Sequence, residues 1–395
     1  MCFHQGVSIR AWASVGLVAA IAAQVGCSDD GAQGGSGGST SAAGSAGAAT
    51  AGSAGASGGS GGNAGSASIA GASVGGGGTG GAQGGGGAQG GGGAGASGAG
   101  GMGGGDASGK GSAAKWVCQA GASYGDPLAG MGAVATVAAP QGDYFAFLEG
   151  PIWIAGTSTL YFSDNASSPS ERIFKLVPPS MMAASFVPAS GSNGLAVDND
   201  GNIVAADQRE KRISRFDPTS AQMVGSPIST GSAKPNDVIV RSDGNIYFTD
   251  PDSGFYRISP AGMVGEPMKL AQSTRPNGVV LSLDESTLYV GDVGGKTIAK
   301  YTLAADGSIM GEGSPFVAQT KSDTVDGMCV DCAGNVYAGT ANGVEVYSPT
   351  GAYLGTVPTG ESSNCTFGGA DRKTMYVTSR AVLKSVTLAV PGLPD

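Results

Sequence analysis

From Lys115 onward, apolar residues fall in short β-branched and aromatic runs separated by polar turns. The clearest unit is residues 236–250, NDVIVRSDGNIYFTD. One run, 238–241, and a second ending on Asp250 flank a Ser-Asp-Gly-Asn turn at 242–245, which predicts a β-hairpin. The pattern recurs. Aligned by the polar residue that opens each copy, the units begin at Glu149, Asn193, Asn236, Asn277, Asp326 and, more weakly, Asn364. Successive openings are 44, 43, 41, 49 and 38 residues apart.

Each copy continues into a third apolar run, at 172–176, 212–216, 255–258, 297–301, 344–347 and 382–386, and the intervening segments leave room for a fourth, for example 316–319. No helical periodicity of useful length interrupts them. Sets of four strands with a period in the low forties predict an all-β chain folded as a six-bladed β-propeller. A parallel β-helix would need a much shorter repeat. Residues 132–139 (GAVATVAA) precede the first copy and can supply the strand that closes the ring.

Composition divides the chain. Most of its 74 glycines precede residue 115. Residues 28–115 are Gly/Ala/Ser low complexity with almost nothing to bury, so they are expected to form a disordered tether. Matches there to a nucleophile elbow (55–59) and a phosphate-binding loop (104–110) lack the preceding strand each motif requires. Residues 1–27 read as an export signal: Arg10, an apolar run, then Gly26-Cys27, similar to a bacterial lipoprotein signal with Cys27 as the lipidated residue. Gln24 departs from that pattern, and a plain secretory signal is the alternative. The expected location is the cell envelope, lipid-anchored in the periplasm or at the surface, or else secretion. Residues 116–395 remain for the propeller.

Charge and histidine exclude whole classes of function. The net charge is −9, and −10 without residues 1–26, whose one charge is Arg10, which argues against nucleic acid and against a membrane contact other than the anchor. The single histidine, His4, lies in the signal segment, so no Ser-His-Asp triad and no His-ligated zinc is available. Cys329-x-x-Cys332 lies in a strand and its turn rather than at a helix, which is the wrong setting for a redox motif. Cys118 with Cys332 is one disulfide that an exported protein permits, whereas Cys329 and Cys365 read as buried free cysteines.

In a propeller the first strand of each blade lines the central channel, so the six opening residues should converge on one mouth. Glu149, Asn193, Asn236, Asn277, Asp326 and Asn364 make an all-oxygen set, suited to a hard divalent ion. Asn and Asp also cap turns, which accounts for Asn364 in particular, but Glu149 is a poor turn residue. A second recurrence, Asp164, Asp207, Asp250, Asp292, Thr340 and Ser379, closes each second strand and reads as a structural turn device.

These residues and their neighbours, namely Leu148-Glu149-Gly150-Pro151, Ser192-Asn193-Gly194-Leu195, Pro235-Asn236-Asp237, Pro276-Asn277-Gly278, Val325-Asp326-Gly327-Met328 and 364–369, together resemble the gluconolactonase/regucalcin (senescence marker protein) family over about 140–390. The resemblance implies a six-bladed propeller with one divalent cation in its channel, usually Ca²⁺, with Mg²⁺, Mn²⁺ or Zn²⁺ possible. It implies hydrolysis of a lactone or related ester, by a monomer acting on a small molecule. Glu149, Asn236, Asn277 and Asp326 are then the expected metal ligands and Asp326 the general base. Lys234, Asn236, Asn193 and Gln208 are the expected substrate-binding residues. Gln208 stands where many bacterial relatives carry histidine, and Lys234 where regucalcin-like members carry arginine, which puts the substrate in question rather than the reaction. A non-catalytic envelope propeller that binds a sugar, peptide or protein around a structural ion is the other reading of the same residues.

Overall fold

Twenty-three strands, in a computed structural model that describes residues 118–137, 144–165, 171–268 and 275–393, form six separate antiparallel sheets. They are the blades of a six-bladed propeller, in chain order. The channel-lining strands are Leu148–Ile154, Ser192–Val197, Val238–Val240, Pro276–Leu281, Met328–Val330 and Asn364–Gly368. Cys27 and the expected signal and tether lie outside the described residues. Among those described, no helix is long and apolar enough to cross a membrane.

Burial grades outward along each blade. The first two strands of the first blade, Leu148–Ile154 and Thr159–Asp164, are buried at every position, while its outermost strand, Ala184–Val187, is mostly exposed. The reason lies in period two: alternate side chains of one strand face the two neighbouring blades. Ile246 and Phe248 pack with Ala206 and Ile213 of the second blade, whereas Tyr247 between them packs with Leu288 and Tyr301 of the fourth. Both faces are covered, so the runs are continuously apolar rather than alternating. Six such clusters fill the six blade boundaries, the last joining Leu160 and Phe162 of the first blade to Tyr376 and Leu383 of the sixth.

The hairpin turns follow the expected chemistry. Gly201, Gly244 and Gly334 occupy the same turn position with φ of 78°, 88° and 79°, in the left-handed region that a side chain disfavours. The ring closes as the sequence predicts: Ala135–Val137 pairs antiparallel with Val382–Thr387 and becomes the fourth strand of the last blade. Among the described residues the third blade has three strands, with isolated bridges, Phe255–Met268 and Ile258–Val264, beyond the third. One expectation needs correction. Cys329 and Cys365 are not free: they form a disulfide, because the ring sets their strands side by side with Cα atoms 5.8 Å apart. Cys118 does pair with Cys332, tying the N-terminal segment to a turn of the fifth blade.

Candidate active site at the channel mouth

The opening strands of the six copies form a continuous ring, each packed against the next. The backbone N–H of Gly194 donates to Asn236 O (2.7 Å), and that of Gly327 to Ser363 O (2.6 Å). Thr249 Oγ1 accepts from the Asp237 N–H (3.1 Å) and itself donates to Asn277 O, linking the third and fourth blades. The glycine that follows most openings permits this crowding. A Cβ on Gly278 would lie 2.2 Å from Asp326 O, and one on Gly327 would lie 2.0 Å from Asn364 Cγ.

Within the ring the structure gathers one group of acids and amides. Glu149 is buried, accepts from the Gly150 N–H (3.3 Å), and shares a side-chain hydrogen bond with Asn364. The Asn277 carboxamide bonds the Asp326 carboxyl. Asn193 is buried beside Gly150, and Asn236 is half-buried, its backbone held by Thr249 O (2.7 Å). Lys234, two residues before Asn236, and Gln208, which follows the second strand of the second blade, lie outside this network. Lys234 is exposed and Gln208 half-buried, and neither side chain shares a hydrogen bond with the group among the described residues. The roles of Asn364 converge: its Oδ1 caps the Cys365 N–H (2.8 Å), and its side chain also bonds Glu149 and Asp237.

Asp237 is the member the sequence reading passes over. It is buried, accepts from the N–H groups of Val238 (3.0 Å) and of Val279 in the next blade (3.1 Å), and completes a set of three acids with Glu149 and Asp326. Its signal was present: it stands where four of the six copies carry glycine.

Electrostatics show what the group lacks. Burial, then the charge of Asp237, push the Asp326 carboxyl up to about 8, against opposing bonds from the Gly327 N–H and Asn277. Burial raises Asp237 to about 7, and burial followed by repulsion from Asp326 and Asp237 raises Glu149 well above the carboxylate range. None of the ion pairs among the described residues includes any of the three. Buried acids that repel one another without a cationic side chain suit a bound cation. Among the described residues no three of His, Cys, Asp and Glu are arranged to hold an ion by themselves. An ion held here would need carboxamide oxygens beside the acids, and Asn193, Asn236 and Asn277 could supply them.

The second recurrent ring behaves otherwise. Asp207 accepts from the Glu210 N–H (3.0 Å) and from Arg212 Nε (2.7 Å). Asp250 accepts from the Lys234 and Asp252 N–H groups (3.0 and 2.9 Å), and Asp164 from those of Ala146 and Phe147 (2.9 and 3.0 Å). These are turn-holding residues.

Beneath the mouth, a cavity of about 670 Å³ follows the channel, walled by Val238, Val279, Leu281, Met328 and Phe367 and bounded by Asp237 and Asn364 at one end and Ser242 and Glu285 at the other.

The profile of the SMP-30/Gluconolactonase/LRE-like region matches residues 147–381, from just before Glu149 to just beyond the last second strand. The chain belongs to that family. A gluconolactonase of Zymomonas mobilis is 30% identical, the match covering 56% of this chain and 72% of that relative. The solved gluconolactonase of Xanthomonas campestris superposes with a TM-score of 0.58 at 27% identity, over 67% of this chain and 91% of that one. Agrobacterium tumefaciens regucalcin, described as a calcium-binding protein, shares the fold at 18% identity (TM-score 0.52; 66% of this chain, 97% of that one).

Proposed function

We propose that this chain is a divalent-metal-dependent lactonase that opens a cyclic ester, a sugar lactone or a relative of one, by attack of water. The observation that carries the reading is the set of buried Glu149 and Asp237 with half-buried Asp326 at the channel mouth, without a cationic partner, in a chain of a family that includes gluconolactonases. Glu149, Asn277, Asp326 and Asn236 would hold the cation, Ca²⁺ foremost, and its chemistry is polarisation of the ester carbonyl together with support for the charged forms of these acids. Asp326 takes a proton from the attacking water as a bond forms to the carbonyl carbon. The ring oxygen leaves and receives the proton back. Asn277 fixes the Asp326 carboxyl through its hydrogen bond. Asn236, Asn193, Gln208 and the exposed Lys234 are the residues proposed to meet substrate hydroxyls. Export to an oxidising compartment, with Cys27 as an anchor, belongs to the same reading, and the two disulfides support it.

The test is an assay of the purified protein on glucono-δ-lactone and a set of aliphatic lactones, with and without chelator. Turnover that chelation abolishes and calcium restores is the expected result. If no lactone opens above background with Ca²⁺, Mg²⁺, Mn²⁺ or Zn²⁺, the enzyme reading is wrong.

A further inference from the structure

Inner strands of adjacent blades belong to different sheets, so no strand ladder sets their spacing. At most boundaries of this ring the spacing is left to packing and a few hydrogen bonds, such as that from the Gly194 N–H to Asn236 O. The position after each opening residue shows the exceptions. It is glycine in four blades, Asp237 in the third and Cys365 in the sixth. Both departures tie their blade to a neighbour: Asp237 accepts from the Val279 N–H of the fourth blade, and Cys365 is bonded to Cys329 of the fifth.

The disulfide sits directly behind the chemistry. Cys329 is three residues beyond Asp326, and Cys365 follows Asn364. Cys365 also holds the Asn364 carboxamide through its own N–H, and that carboxamide bonds Glu149 and Asp237. One covalent link therefore joins the strand that presents Asp326 to the strand whose Asn364 connects the other two acids. The other disulfide, Cys118–Cys332, has no such neighbours, since Cys332 lies in the turn at the far end of the fifth blade's first strand.

We propose that the Cys329–Cys365 disulfide is a positioning cross-link, which holds Asp326 at its working distance from Glu149 and Asn364 and so keeps the oxygen set in ion-binding geometry. This inference rests on the metal-dependent reading above. The experiment compares the full-length protein with the pair Cys329→Ala and Cys365→Ala and with the pair Cys118→Ala and Cys332→Ala. It measures the calcium Kd by calorimetry, Tm in chelator, and kcat and KM on an active lactone. Removing the inner pair should weaken calcium binding by about tenfold, as loss of ligand-orienting partners does, and lower kcat. Removing the outer pair should lower Tm while calcium affinity stays at the wild-type value. Should the inner alanine pair fail to fold, Cys329→Val with Cys365→Ala fills the volume and serves in its place. Wild-type calcium affinity in the inner variant, equal loss of affinity in both variants, or free thiols at Cys329 and Cys365 in mapped wild-type peptides each overturn the cross-link. A wild type that neither binds calcium nor opens a lactone overturns the proposed function instead.

Discussion

Two sets of buried carboxylates occur in this ring, one strand apart, and they have opposite surroundings. Asp164, Asp207, Asp250 and Asp292 close the second strands and are as buried as Glu149 and Asp237 at the openings of the first. Each of the former receives backbone N–H groups from a turn, and Asp164 and Asp207 also face arginines. The latter accept a similar number of donors, two backbone N–H groups in the case of Asp237, but lie against one another: burial raises all three acids, and repulsion adds to it at Glu149 and Asp326. Burial and recurrence thus do not separate a scaffold acid from a site acid. The difference lies in whether the fold sets an acid alone in its own turn or brings it against other acids.

The largest test of that difference substitutes one acid from each set. Asp326→Asn should lower kcat by about 10²–10⁴-fold, the range for a lost general base. It should leave Tm in chelator near the wild-type value at neutral pH, where the ion-free ring already keeps this carboxyl protonated, and raise it above pH 8. Asp207→Asn should do the reverse, destabilising by about 1–3 kcal/mol through the weakened Arg212 and Glu210 bonds, with kcat retained in the folded fraction. Turnover assays paired with calorimetric melting decide it. Two variants that behave alike would erase the distinction between the rings.

A smaller effect should appear in pH dependence. Asp237 and Asp326 hold protons up to about 7 and about 8 in the ion-free ring, whereas an unfolded aspartate releases its proton near 4. Between those values the folded state binds more protons than the unfolded chain, so their contribution to stability falls as pH rises. Asp284, lowered by its Ser282 and Ser286 hydrogen bonds, acts in the other direction but only below that window. Tm in chelator should therefore decline from about pH 5 to 8. The increment from calcium should grow over the same range, since the ion binds the deprotonated forms, and at a hundredfold excess over Kd it reaches about 2.7 kcal/mol. A chelated protein with a flat profile would show that the mouth acids have partners after all.

The parts of this arrangement that sequence displays are those the repeat enforces. Openings, hairpin turns and third strands recur in blade after blade, because each blade must cover the same faces of its neighbours. Residues that break the repeat are the harder ones. Asp237 sits in a glycine position and offers no periodic signal of its own, while the Cys329–Cys365 pairing, 36 residues apart, depends on a strand proximity that only the closed ring creates. Outer strands were faint for another reason: the run 353–357, like 184–187, is largely exposed, so little apolar patterning marks it.

Lys234 is where the two rings meet, and its substitution should have the smallest effect. Its backbone N–H donates to Asp250 Oδ2 (3.0 Å), an anchor in the structural ring, while its side chain is exposed two residues before Asn236. A Lys234→Met variant keeps the backbone bond and removes only the charge. Stability should stay within about 0.5 kcal/mol, as for exposed positions without special contacts. A solvent-screened contact to substrate oxygens is worth up to about 1 kcal/mol, so KM should rise by no more than about fivefold, kcat should hold, and added salt should shrink the difference. A fall in kcat instead would place the ammonium against the reacting group, and the mouth would then have a cationic partner that the three acids of this structure lack. An unchanged KM would leave Lys234 with the structural ring alone, held there by its N–H.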